Sequence, residues 1–314
     1  MCFGVMASTS AYHAPVLASE VTELLRNAEQ VLDCTLGGGG HAHALLEAGV
    51  KSVVGVDRDP NALAAATTRL HAYAAEGRFT AVQSNYADVT DLSSLQGIAF
   101  DGILLDLGVS SHQVDDDDRG FTFRPGARLD MRMGSDAGTD AASLLNTEAE
   151  SVLTRIFKTF GDEPRGARLA HEIVRRRSTR PFETSDDLVG AIRAVLGPRS
   201  GAGDFARLFQ AVRIAVNDEL PGLERALPKL RDRLSPGGTL AVIAYHSGED
   251  RIVKQALRSW SAACICPPKQ PTCTCRGKSL GTTLTRRALT ASQDEVLHNP
   301  RARSARLRAW RSAE

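Results

Sequence analysis

The residues best suited to chemistry are acids, glycines and a histidine, each placed just after a short apolar run. Val31-Leu32-Asp33-Cys34-Thr35-Leu36 leads into four consecutive glycines, Gly37 to Gly40, and then His41. Four adjacent glycines carry a large conformational-entropy cost, and what offsets it is a backbone path that side chains would obstruct, pressed against a ligand. Gly37, Gly39 and Ala42 fit the spacing G-x-G-x-x-G/A, and Asp57 ends the apolar run VVGV 20 residues after Gly37. A tight turn, close backbone approach and an acid able to accept two ribose hydroxyls are the parts of a nucleoside site. Asp106 follows Ile103-Leu104-Leu105, so a ligand or donor is expected beside its carboxylate, because burying it alone is costly. Tyr86 follows another apolar run and offers a ring to an adenine face, while Ser110, Ser111 and His246 close the set of polar residues after such runs.

These residues need a common edge to meet. The apolar runs at 30–34, 51–57, 79–83, 100–107 and 239–245 alternate with helical stretches, which predicts a parallel, doubly wound α/β sheet. Ligands of such sheets bind beyond the carboxyl ends of the strands, where all the residues above fall. Between 112 and 204 no buried strand is evident and helical spacing prevails at 141–160, 165–177 and 185–196. A helical domain at 112–204 is therefore expected as an insertion in an α/β domain made of 1–111 and 205–314. One long helical segment is expected from Phe205 to about Leu234, interrupted at Pro221.

The 314 residues carry a net charge of +1 with 42% hydrophobic content, which fits a globular protein whose nucleic-acid contacts are local. No run approaches the roughly 18 apolar residues of a membrane span, and the first residues lack a secretory pattern, so a cytoplasmic protein is expected. Local basic groups are Arg175, Arg176, Arg177 and Arg180 in the insertion, and Arg301, Arg303, Arg306, Arg308 and Arg311 near the end of the chain. Such groups bind phosphates without regard to sequence. Phe121 and Phe123 are candidates for stacking on an extruded base or, equally, for ordinary core packing. Cys264-Ile-Cys266 and Cys273-Thr-Cys275 place four thiols within twelve residues, as a tetrahedral zinc site or as reduced thiols in a loop. Neither G-x-x-x-x-G-K-[ST] nor G-x-S-x-G occurs. Asp33 before the glycines opposes a pyrophosphate and suits a sulfonium, which favours S-adenosyl-L-methionine over a nicotinamide dinucleotide.

Several longer stretches carry a resemblance. They are His13-Ala-Pro-Val-Leu17, Val56-Asp-Arg-Asp-Pro60, Asp101-Gly-Ile-Leu-Leu-Asp-Leu-Gly-Val-Ser-Ser111, Asp117-Asp-Arg-Gly-Phe-Thr-Phe123, Phe209-Gln-Ala-Val-Arg-Ile-Ala-Val-Asn-Asp-Glu-Leu220 and Asn299-Pro-Arg-Ala-Arg-Ser304. With them the chain resembles the bacterial 16S ribosomal RNA cytosine-N4-methyltransferases, the RsmH or MraW family. The resemblance implies a Rossmann-like class I methyltransferase that takes a methyl group from S-adenosyl-L-methionine to the N4 amine of cytidine 1402 in 16S rRNA, within the 30S subunit. It implies cofactor contacts from Gly39, Gly40, His41, Asp57, Tyr86, Asp106 and Gln113, and family members that can form homodimers. The family usually has Phe where Tyr86 stands. Asp106 is the first candidate to accept a hydrogen bond from the reacting amine, followed by Ser110, Ser111 and His246. Arg175, Arg176, Arg180, Arg301, Arg303 and Arg306 are the expected RNA contacts.

Overall fold

The computed structural model describes residues 15–109, 116–134, 136–267, 270, 272 and 274–314. Seven strands form one sheet: β1 Gln30–Asp33, β2 Ser52–Asp57, β3 Phe79–Gln83, β4 Phe100–Asp106, β5 Leu234–Ala244, β6 Gly281–Thr283 and β7 Arg306–Ser312. Their order is β3-β2-β1-β4-β5-β7-β6. The first five are mutually parallel, while β7 runs antiparallel to both β5 and β6. This is the Rossmann-like α/β class expected from the strand–helix alternation.

Strand periodicity divides the sheet's side chains between two cores. Leu32, Ile103, Leu105 and Val242 join one, and Val31, Leu104, Ala241 and Ile243 the other. The second is covered by α1 (Ala18–Leu25), α2 (Gly40–Glu47) and α3 (Pro60–Arg69), and the short helix α4 (His71–Ala75) follows. A third core belongs to the insertion, built by α5 (Ala141–Thr147), α6 (Glu150–Thr159), α7 (Gly166–Arg177), α8 (Ser185–Leu196) and α9 (Ala202–Asn217). It takes Phe205, Leu208, Phe209, Ala211 and Val212 from α9, so the helical unit runs past the expected boundary at 204. The expected helix from 205 to 234 is two helices, α9 and α10 (Glu219–Arg231). They part at Asp218, whose φ of 52° is left-handed. Pro221 lies inside α10's first turn, where a missing N–H interrupts nothing. The helix α10 packs with α11 (Ser247–Ser261) on the first core, and α12 (Gln293–His298) precedes β7.

The strands β6 and β7 were not expected. In RLRAWRS the buried positions Leu307, Ala309 and Trp310 are interspersed with Arg306, Arg308 and Arg311, and the result reads as a basic tail. Trp310 is fully buried and meets Trp260 edge-on at 5.3 Å.

Candidate active site

The carboxyl edge of the sheet opens on a cavity of about 480 Å³, whose walls come from the ends of all five parallel strands and from the insertion. Its volume is in the range of small-molecule sites, which favour the reversal point of open α/β sheets. The loop after β1 is fixed from two sides. The Asp106 amide donates to Thr35 Oγ1 at 2.6 Å, and the Gly37 amide donates to Asp57 Oδ2 at 2.8 Å. Gly37 (φ 52°) and Gly39 (φ 75°) are left-handed, which suits glycine. Gly37, Gly40 and His41 line the cavity. Gly39 does not; a Cβ there would stand 3.1–3.3 Å from Leu70 and Ala66, so it serves the approach of α2 to α3.

Asp57 accepts from Gly37 on Oδ2 and from the Asp59 amide on Oδ1 at 2.9 Å, keeping further lone pairs for hydroxyl donors at the cavity. Burial pushes its carboxyl up, against the pull of the backbone N–H groups. Asp33 differs from the expectation. It is 1% exposed and lies behind the wall. Burial pushes its carboxyl up to about 7, against the pull of His41 and the Thr35 amide. The negative charge facing the cavity comes from other acids, Asp57 and Asp106 first among them.

Asp106 Oδ1 accepts from the Tyr245 hydroxyl at 2.8 Å, and Oδ2 stands 3.5 Å from His41 Nε2. Burial, with Asp106 alongside, raises the Tyr245 phenol well above its ordinary value and keeps it a donor. His41 is 6% exposed, and neither ring nitrogen has a hydrogen-bond partner among the described residues. Tyr86 lines the cavity, and its hydroxyl, which a phenylalanine would lack, donates to the Glu219 carbonyl at 3.2 Å. Glu219 in turn holds Arg213 through two bonds of 2.9 and 2.8 Å.

His246 also reaches the wall, but its ring is committed to the start of α11. Nδ1 accepts from the Gly248 amide at 3.2 Å, which assigns the proton to Nε2, 3.1 Å from Glu249 Oε1. No ring lone pair is left for a substrate amine. Glu249 is 2% exposed; burial works to raise its carboxyl, yet His246, the Tyr245 amide and Arg213 outweigh that and hold it below the ordinary value.

Tyr245, Glu249 and Arg213 escaped the reading of single residues. The tyrosine at the end of TLAVIAY reads as one more strand residue, and only the pairing of β4 with β5 brings it to Asp106. Ser110, Ser111, Gln113 and Cys273 lie outside the described residues. Phe123 packs edge-on against Phe205 and Phe209 at 5.9 and 6.1 Å, and Phe121 packs on the same helical core. Both rings pack on the helical core, the second of the two roles open to them from the sequence.

The basic residues separate into different settings. Arg301 lines the cavity, and Arg303 and Arg306 are exposed beside it in sequence, Arg306 standing 3.7 Å from Asp250. Arg308 is bound to Asp250 at 2.7 and 3.1 Å. Arg175 and Arg176 share Glu172, whose carboxyl their hydrogen bonds hold down at about 2, while Arg180 is exposed. None of these three insertion arginines lines the cavity.

The residues present suit an adenosyl sulfonium: a latched acid for a ribose diol, carboxylates to tolerate the positive charge, and in His41 a buried ring at the wall, 3.5 Å from Asp106.

The family model described as MraW methylase family matches residues 10–313. Ribosomal RNA small subunit methyltransferase H of Gemmatimonas aurantiaca is 66% identical over 305 residues, covering 97% of this chain and 96% of that protein. The protein of the same name from Heliobacterium modesticaldum is 44% identical over 307 residues, covering 95% and 97%. Among solved structures, an rRNA methylase from Streptococcus thermophilus aligns at 11% identity with a TM-score of 0.42, covering 95% of this chain and 94% of that chain. N-methyltransferase NodS from Bradyrhizobium japonicum, in complex with S-adenosyl-L-homocysteine, aligns at 10% identity with a TM-score of 0.41, covering 96% and 89%.

Proposed function

The chain belongs to the MraW methylase family, and from that premise we propose that this rRNA small-subunit methyltransferase modifies the N4 amine of cytidine 1402 in 16S rRNA. The methyl donor is S-adenosyl-L-methionine, which supplies an electrophilic methyl group on a sulfonium. The substrate is the RNA within the 30S subunit, and the protein acts in the cytoplasm.

The observation that carries this reading is the pair of cavity-facing acids held by different devices. Asp57 is latched to the glycine loop and is shaped to take a ribose diol. Asp106, also on the wall, is oriented through Oδ1 by Tyr245, with Oδ2 3.5 Å from His41 Nε2. A cytosine amine is a poor nucleophile because its lone pair is delocalised into the ring. Asp106 accepts one of its N–H groups, which holds the amine in place and stabilises positive charge as it develops. The product cation is acidic, so no strong base is needed beforehand. Tyr86 lies against the adenine, and Gly40 and His41 close the loop side. His246 holds α11 in place and takes no proton. Arg301 at the wall and exposed Arg303 and Arg306 meet RNA phosphates, as Arg180 does from the insertion, with Arg175 and Arg176 attenuated by Glu172.

The test is transfer of labelled methyl groups to 30S subunits that lack the modification, alongside protein-free 16S rRNA, followed by mapping of the labelled nucleotide. Label at N4 of cytidine 1402 in the 30S sample is expected. No label, or label at another nucleotide, overturns the assignment; binding of a nicotinamide dinucleotide in place of the sulfonium overturns the chemistry as well.

A further inference from the structure

The cysteines at 264–275 are far from idle loop residues in their arrangement. Cys264, Cys266 and Cys275 bring their sulfurs within 4.8 Å of one another, with Cys264 and Cys275 Sγ 3.8 Å apart. Thiolates bound to tetrahedral zinc at ~2.3 Å stand ~3.8 Å from each other, the edge of the tetrahedron, whereas a disulfide requires ~2.05 Å. The Ile265 amide also donates to Cys275 Sγ at 3.3 Å, the kind of outer hydrogen bond that stabilises a metal-bound thiolate.

From this geometry we propose a structural zinc site, ligated by Cys264, Cys266 and Cys275, that clips the loop between α11 and β6. This site is independent of the methyl-transfer reading, since none of the three cysteines lines the cavity. Among its described residues the loop from 262 to 280 has no helix or strand. A segment of that length without regular structure needs something to hold it. Its base is already tied: Arg276 donates to the carbonyls of Ser259, Trp260 and Ala262 at the end of α11, and the Leu280 amide donates to the Trp260 carbonyl at 2.8 Å. The sulfur cluster closes the remainder above that knot. Each thiol releases its proton to solvent as its sulfur binds the metal. Three thiolates around a divalent cation leave one net negative charge, offset by Arg276 beside Cys275 and by Lys278. Cys264 is exposed and the other two are half-buried, so metal and chelator have access. Cys34 is the contrast: it is fully enclosed, and burial pushes its thiol up, so it remains an inert thiol. The fourth position is filled by a donor other than these three.

The full chain, purified without a metal-binding tag under reducing conditions, is assayed for zinc by elemental mass spectrometry. About one zinc per chain is expected after gel filtration. Cobalt reconstitution of the unaltered chain is expected to give an intense sulfur-to-cobalt charge-transfer absorption. The Cys264→Ser/Cys275→Ser double variant is expected to lose metal affinity by more than about tenfold. Cys34→Ala retains the metal and serves as the control. Failure of the reduced, unaltered chain to show that absorption overturns the proposal whether or not the variants fold. Undiminished zinc in the double variant overturns it too.

Discussion

The latch between Asp57 and the glycine loop makes the Asp57→Ala substitution a demanding test of how the cavity works. Two donors lose their acceptor in this variant: the Gly37 amide at 2.8 Å and the Asp59 amide at 2.9 Å. An orphaned buried donor costs about 1–3 kcal/mol, and both of these are only partly buried, so about 2–3 kcal/mol of stability should be lost in all. The ligand loses more specifically. Two hydroxyl bonds to a charged acceptor, taken at the lower end of about 1.5 kcal/mol each, amount to roughly 100-fold in affinity. Urea unfolding of the free protein reads the first quantity, and calorimetric titration reads the second. Because the ribose is common to S-adenosylmethionine and S-adenosylhomocysteine, both should weaken alike. Asp57→Asn, with a single oxygen to offer, should fall between the two proteins on both scales. Wild-type affinity in a folded Asp57→Ala variant, or a loss confined to the charged ligand, would refute the ribose role and leave Asp57 as a loop staple alone.

Asp106→Asn is expected to lower kcat by about 10²–10³, the usual scale for one transition-state-stabilising hydrogen bond, and to weaken binding of the sulfonium more than of the neutral product; single-turnover kinetics and paired titrations check both. His246→Asn, which can still accept from Gly248, should keep near wild-type turnover, while His246→Ala should cost about 1 kcal/mol in stability through the lost cap; a large fall in kcat for the asparagine variant would restore a chemical role to the ring. Asp33 titrates at about 7 when folded against 3.8 as its ordinary value, so the folded state holds the extra proton between those limits. Stability from this group is therefore lost as pH rises through that window, and Asp33→Asn should flatten the fall in urea midpoint measured across it.

What the sequence made legible was decided by how local each signal is. The strands β1 to β5 are short apolar runs closed by acids or turns, and the strand-end rule then gathers Asp57, Tyr86 and Asp106 at one edge before any coordinates exist. The sign of the charge at that edge was legible, but its source was not. Asp33 lies on the same face as Asp57 and Asp106 but pairs with Gly55 and Leu104, two residues short of them, so it sits beneath the edge and behind the wall. Depth of that kind is set by the register between strands, and adjacent residues do not record it. For β7 the opposite failure holds: Leu307 and Trp310 enter the cores on opposite faces of the sheet, but the arginines around them resemble an RNA-binding tail. Arg308 is in fact the partner of buried Asp250. His246 was legible as a polar strand-end residue; that its ring caps α11 shows only in the 3.2 Å contact from Gly248.

The insertion and the sheet are joined by contacts that also shape the cavity. Arg58 binds Asp136, and Arg119 binds Asp59, each pairing a residue at the end of β2 with one from the insertion. Asn217, 3% exposed, donates to the Met131 carbonyl at 2.7 Å and accepts from the Met133 amide at 2.8 Å. Met131 has a φ of 61°, a conformation that costs a side-chain-bearing residue roughly 1–2 kcal/mol. Such a residue persists where its surroundings over-determine it, and here the Met131 amide donates to the Arg119 carbonyl at 3.0 Å while its carbonyl accepts from buried Asn217. Among the described residues four non-glycines have positive φ, and three of them adjoin the cavity: Leu17 follows the wall residue Val16, Met131 precedes Met133, and Asp218 is itself on the wall. Two of these, Met131 and Asp218, stand where the helical unit meets the strand ends. The helical unit and the strand ends therefore share one cavity wall, and displacing the unit displaces Met133, Arg213 and Asp218 from it.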